Sequence, residues 1–142
     1  MTAANKLEGQ CLCGAVTVRM TPPEPHVDAC HCGMCRRWGG SALLSLRMVT
    51  DPEIEGAEHI TRYASSEWAE RGFCRQCGTH LFFFYKPKAS YSFTSGLFGG
   101  ADGFAMVEEI FIDEKPAYYA FTGTRERLTG AEVMAKFGVG ES

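Results

Sequence analysis

Cys30-His31-Cys32-Gly33-Met34-Cys35 places three thiols within six consecutive residues, too dense a pattern for the inert buried cysteines of an ordinary core. The other cysteines stand in two flanking steps, Cys11-Leu12-Cys13-Gly14 and Cys74-Arg75-Gln76-Cys77-Gly78, so that all seven fall into three groups. An odd number cannot be used up in disulfides within one chain. Residues 1–8 contain no apolar core of a secretory signal, so the expected setting is cytoplasmic and reducing, where thiols ligate metals rather than oxidise.

The spacing points to zinc. On a strand, residues i and i+2 project from one face, so a Cys-x-Cys step offers two sulfurs to one ion, and Cys-x-x-Cys-Gly is a zinc-knuckle half-site. Zn2+ takes four protein ligands where it is structural and commonly three where it is catalytic, the fourth place going to water or substrate. Two ions per chain, one with four cysteines and one with three, use all seven, and two divisions are open. In one, Cys30, Cys32 and Cys35 hold an ion by themselves while Cys11, Cys13, Cys74 and Cys77 join across about sixty intervening residues. In the other, Cys11 and Cys13 pair with Cys30 and Cys32, and Cys35 goes with Cys74 and Cys77.

Around the cysteines the chain reads as mainly β. Residues 15–20, 42–48, 59–63, 81–85, 91–94 and 109–112 are β-branched or aromatic runs between turn formers such as Asp51-Pro52, Gly56, Gly78, Lys86-Pro87 and Gly99-Gly100. A single short helix is expected near the C-terminus, where Thr129-Gly130-Ala131-Glu132 matches a capping box, Val133, Met134 and Phe137 are apolar, and Gly138 suits a C-cap. With 142 residues, 45% of them apolar, the chain has the material for one domain with one core. Its net charge of −3 provides no attractive field for nucleic acid or an anionic membrane, and no stretch has the apolar length of a membrane helix.

Gly9-x-Cys11-x-Cys13-Gly14-Ala15-Val16, Cys30-His31-Cys32-x-x-Cys35-Arg36 and Phe73-Cys74-x-x-Cys77-Gly78-Thr79-x-Leu81 together resemble the glutathione-dependent formaldehyde-activating (GFA) family, which includes the centromere protein V domain. The likeness runs over about residues 7–121 and takes in Glu109-Ile110-Phe111-Ile112-Asp113-Glu114-Lys115-Pro116, similar to the family's late strand and acidic-Lys-Pro turn. It implies a single GFA-type zinc domain over residues 1–142, with Mss4-like folded β-sheets and little helix. It also implies a structural zinc on Cys11, Cys13, Cys74 and Cys77 and a catalytic zinc on Cys30, Cys32 and Cys35. The implied activity is that of a carbon–sulfur lyase in which glutathione and formaldehyde condense reversibly to S-hydroxymethylglutathione. Where the family usually carries a tryptophan after Lys-Pro, this chain has Pro116-Ala117-Tyr118-Tyr119, which alters an aromatic contact.

Three thiolates on Zn2+ leave a charge of −1, a soft centre suited to binding a fourth sulfur rather than activating water. The expected partners are therefore a small thiol such as glutathione and an aldehyde. Arg36 and Arg37 are candidates for a substrate carboxylate, and Trp38 for a pocket wall, beside the plainer readings of solvated arginines and a core tryptophan. His31 on a strand would point away from the metal and pack or support the ligands, with proton transfer or ligation as the alternative. His80 reads as surface or satisfied, or as a hydrogen-bond donor to a cysteine sulfur. The run 81–85 reads as a core strand. A non-catalytic binding module stapled by zinc, or a thiol carrier, is the competing function.

Overall fold

The computed structural model describes residues 5–137 of the chain. In chain order the elements begin with β1 (Leu7–Gln10), β2 (Thr17–Met20), β3 (His26–Cys30), α1 (Gly33–Gly39), β4 (Leu43–Val49) and β5 (Glu53–Glu55). They continue with β6 (Ile60–Ser66), β7 (Ala69–Cys74), β8 (His80–Tyr85), β9 (Ser90–Thr94), β10 (Ala105–Ile110), β11 (Glu126–Leu128) and α2 (Gly130–Phe137). Three strands form a small antiparallel sheet in the order β1-β2-β5. The other eight form one sheet in the order β11-β10-β3-β4-β9-β8-β7-β6, antiparallel except that β10 runs parallel to both β3 and β11. The fold is mainly β with a short C-terminal helix, as the sequence indicated.

The principal core lies where the small sheet meets the large one. Val18 and Met20 alternate inward along β2 and, with Leu7 and Val16, meet Leu46, Val49, Leu81, Phe82 and Phe93. Phe82 and Phe93 meet edge to face at a centroid distance of 5.8 Å, and Phe93 meets Phe98 likewise at 6.0 Å. Leu81 and Phe82 are fully buried, so the 81–85 run is the core strand expected of it. A second, smaller core gathers Cys30, Cys32, Cys35, Phe111 and Val133, with Leu43, Ile110 and Leu128 packed against it. Cys11 and Cys74 belong to the principal core, so the cysteines are divided between two apolar environments.

The expectation of a single helix is corrected by α1. Its ends are glycines, the weakest helix formers after proline, and its N-cap is Cys32, whose Sγ accepts the Cys35 N–H at 3.3 Å in place of the usual hydroxyl or carboxylate. Glu114 Oε1 accepts the Gly33 N–H at 2.8 Å, and Gly40 ends the helix with φ of 88°. At the other helix the capping box forms reciprocally: Thr129 N–H donates to Glu132 Oε1 at 2.8 Å, and Glu132 N–H to Thr129 Oγ1 at 3.2 Å. Val133 is buried and Met134 is exposed. Gly138, the expected C-cap, lies outside the described residues.

Candidate metal centres

Cys11 and Cys13 do not share a strand face. They flank a turn that follows β1, closed by the Gly14 N–H donating to the Cys11 carbonyl at 3.0 Å with Gly14 at φ of 80°. A turn one residue wider follows Cys74 and Cys77, where the Gly78 N–H reaches the Cys74 carbonyl at 2.7 Å and Gly78 also has φ of 80°. Both turns require the left-handed backbone that glycine adopts without steric cost. At Cys11 and Cys13 a turn thus replaces the strand periodicity expected to align the sulfurs, while Cys74 and Cys77 form the knuckle turn expected of them.

The four Sγ atoms of Cys11, Cys13, Cys74 and Cys77 all lie within 4.8 Å of one another, with Cys11 to Cys13 at 3.6 Å and Cys13 to Cys74 at 3.8 Å. A tetrahedron with metal–sulfur arms of about 2.3 Å has edges of about 3.8 Å, so the donor set fits a tetrahedral ion. Thr79 Oγ1 accepts the Leu12 N–H at 3.1 Å and lies 3.2 Å from Cys77 Sγ, which ties the two half-sites together. Hydrogen bonds from the Thr79 hydroxyl and backbone pull the Cys77 thiol down to about 5. Burial pushes Cys11 up, but the Val16 N–H, 3.3 Å from its sulfur, helps bring it below its ordinary value. At Cys13 an Ala15 backbone contact lowers the thiol, yet desolvation and its sulfur neighbours push it up to about 12.

Cys30, Cys32 and Cys35 form the second group, all buried, with their Sγ atoms also within 4.8 Å of one another. Cys30 comes from the last residue of β3, Cys32 from the N-cap of α1 and Cys35 from its first turn. Of the two divisions left open by spacing, the chain therefore builds the four-and-three grouping in which this array stands alone. Hydrogen bonding to Cys32 and Cys35, followed by burial, holds the Cys30 thiol well above its ordinary value. At Cys35 the hydrogen bond with Cys30 lowers the thiol, while Cys32 and burial outweigh it and push it up to about 11. Both clusters are able to bind metal ions, since a cation at their centre lets clustered thiols ionise together. Among the described residues no fourth His, Cys, Asp or Glu joins the second cluster.

His31 is fully buried just beyond β3, and both of its ring nitrogens are directed away from the sulfurs. Nε2 lies 2.8 Å from Glu109 Oε1 and Nδ1 lies 2.7 Å from the Tyr119 hydroxyl. Glu109 Oε2 in turn accepts from Arg125 and from Arg127, the latter at 3.0 Å. Tyr119 also stacks on His31 at 5.5 Å. Arg36 donates from Nε to the His31 carbonyl at 3.0 Å, while Arg37 is exposed. Trp38 stacks on His80 at 4.3 Å, so the His80 ring packs against an indole rather than reaching a cysteine. An open groove of about 390 Å³ is lined by Leu12, Thr79, His80 and Leu97, and Trp38 lies behind its His80 wall.

Arg71 is the residue that sequence reasoning missed. It lies three positions before Cys74 on β7, hence on the opposite face of that strand, and is 2% exposed. Its two terminal nitrogens point at Cys35 Sγ from 3.6 and 3.7 Å, and its guanidinium lies over the rings of Trp38 at 5.1 Å and Phe83 at 5.3 Å. The signal was available: an arginine in register with Ala69 on one face of a strand leading into a cysteine knuckle. Glu109 and Tyr119 had no such local mark.

The family model described as glutathione-dependent formaldehyde-activating enzyme matches residues 6–114. An uncharacterised lyase of Schizosaccharomyces pombe is 37% identical over 128 residues, which cover 89% of this chain and 93% of that protein. A Halomonas elongata protein provisionally named a glutathione-dependent formaldehyde-activating enzyme is 31% identical over 102 residues, 64% of this chain and 65% of its own length. A crystal structure of a Rhodobacter sphaeroides protein shares the fold, with a TM-score of 0.58 and 23% identity over 70% of this chain and 99% of that one.

Proposed function

The chain belongs to the glutathione-dependent formaldehyde-activating family, and from that premise we propose that it is a zinc-dependent carbon–sulfur lyase, joining a small thiol such as glutathione reversibly to an aldehyde such as formaldehyde. What supports this reading is the asymmetry between the clusters: four sulfurs at one, three at the other, with both nitrogens of the adjacent His31 committed to Glu109 and Tyr119. Cys11, Cys13, Cys74 and Cys77 would then hold a structural zinc, and Cys30, Cys32 and Cys35 a catalytic one with its fourth position free. Zinc bound by three thiolates favours a sulfur ligand in that position and lowers the pKa of the thiol it binds.

The chain's own residues supply the rest. Phe111, Val133 and Leu43 pack against the three cysteines and keep water from that side of the sulfurs. His31, held by Glu109 and Tyr119, fixes the backbone between Cys30 and Cys32, and Arg36 clamps its carbonyl. Arg37, exposed on the same helix as Cys35, offers a fork to a carboxylate of a glutathione-like thiol, and Trp38 walls the site. A cytoplasmic location, where free glutathione is abundant and thiols stay reduced, suits this chemistry.

Magnetisation-exchange NMR on formaldehyde, glutathione and their adduct tests the activity. The zinc-loaded protein is expected to accelerate the exchange, Cys35→Ala to abolish the acceleration, and Arg37→Ala chiefly to raise the apparent KM for thiol. Thiol binding without any acceleration would instead make the protein a thiol carrier.

A further inference from the structure

Arg71 is set apart from the other buried charges of the described residues. Asp28, Glu108 and Glu109 each face an arginine or a lysine, whereas the Arg71 guanidinium has no carboxylate partner and its Nε is buried without one of any kind. A guanidinium cannot shed its charge, so burying one without an anion is strongly unfavourable. What lies within reach is a sulfur that metal ligation would make anionic. Two N–H groups converge on Cys35 Sγ at 3.6 and 3.7 Å, and the faces of Trp38 and Phe83 hold the planar group in place. The His80 ring stacked on Trp38 at 4.3 Å backs that arrangement from β8.

We propose that Arg71 is the charge-compensating positioning residue of the three-cysteine centre, and that it sets the preference of the fourth position for an anionic thiolate over a neutral ligand. This rests on the reading above that the fourth position is open. Three thiolates and a divalent ion sum to −1, so a thiolate entering alone would bring a buried centre to −2. With Arg71 counted, the same steps run from neutral to −1, and in a low-dielectric site that difference is large. N–H donation to Cys35 also draws electron density from its sulfur, leaving the ion more receptive to a new donor. The arginine acts through Cys35, not on substrate.

The test uses the full chain loaded with cobalt, read by the sulfur-to-cobalt absorption bands, with 2-mercaptoethanol and neutral imidazole titrated as separate probes. Arg71→Met is expected to weaken 2-mercaptoethanol binding at least tenfold, to leave imidazole binding within threefold, and to shift the charge-transfer band. Cobalt at the four-cysteine cluster should be unchanged, which reports that the fold is intact. Arg71→Lys keeps the charge without the fork, and is expected to hold thiol affinity within threefold of wild type; it decides the matter should Arg71→Met fail to fold. Equal weakening for both probes, or no weakening for either, overturns the charge role and leaves the open-site reading standing. A tenfold loss in Arg71→Lys overturns it too. A wild-type centre that answers to no thiol contradicts the open-site reading and the proposal with it.

Discussion

Glu109 is the residue on which the placement of His31 depends. It is 1% exposed and takes hydrogen bonds from His31, Arg125 and Arg127. Burial alone would push its carboxyl up, but those three partners outweigh it and hold the group below its ordinary 4.5. A carboxylate with a depressed folded-state value contributes stability that is complete above the unfolded value and is lost as pH falls through the folded one. Glu109→Gln should therefore cost about 2 kcal/mol at neutral pH, since it removes the charge-assisted bonds that the buried carboxylate accepts from His31, Arg125 and the more exposed Arg127. Urea denaturation across pH should also show its acid-side decline flattened below about 4.5, relative to wild type. At this scale the cysteines were legible because their spacing is local. Glu109 and Tyr119 were not, because they reach the site through pairings distant in sequence, as with Tyr119 to His31 at a separation of 88 residues, and Arg71 was marked only by its place on a strand that the sequence did not announce.

At the scale of elements, the strands that the sequence announced are those with clean apolar runs. β8 and β9 are examples, and β7 shows why others were silent. Its sequence Ala-Glu-Arg-Gly-Phe-Cys carries two charges and a glycine, yet Ala69, Arg71, Gly72 and Cys74 are buried because both faces of the strand are covered. Gly72 has a specific reason: a Cβ there would stand 2.3 Å from the Phe82 ring, which Tyr91 and Phe93 hold edge-on. Gly72→Ala is expected to cost about 2 kcal/mol by overpacking, measured as a drop in the urea midpoint with unchanged m. The helices carry a parallel contrast. α2 was legible from its capping box, and Thr129→Ala should cost about 1 kcal/mol by removing one of the two reciprocal bonds. α1 was hidden because its cap is a sulfur and both of its ends are glycines.

Over the whole molecule, the two clusters sit in different cores, so a metal ion bound at one would differ in its consequences for folding from one bound at the other. The four-cysteine cluster joins the turn after β1 to the β7–β8 turn, residues 61 positions apart between Cys13 and Cys74, and two of its members belong to the principal core. A zinc ion held there as proposed would close that long loop and contribute on the order of 10 kcal/mol, comparable to the stability of an entire domain. Cys74→Ala is accordingly expected to give insoluble protein or a lost cooperative melt. Cys32→Ala, at a cluster that closes only a short local loop, should melt cooperatively with one metal equivalent fewer by elemental analysis. On the proposed reading, one centre is complete in sulfur while the other keeps a place for a thiol. Cadmium NMR of the fully loaded protein, with glutathione titrated in, addresses both centres in one spectrum. Two resonances are expected, one in the four-sulfur range that stays fixed and one that moves toward that range as glutathione is added. Two four-sulfur resonances before any thiol, or a second resonance that glutathione does not move, would contradict it.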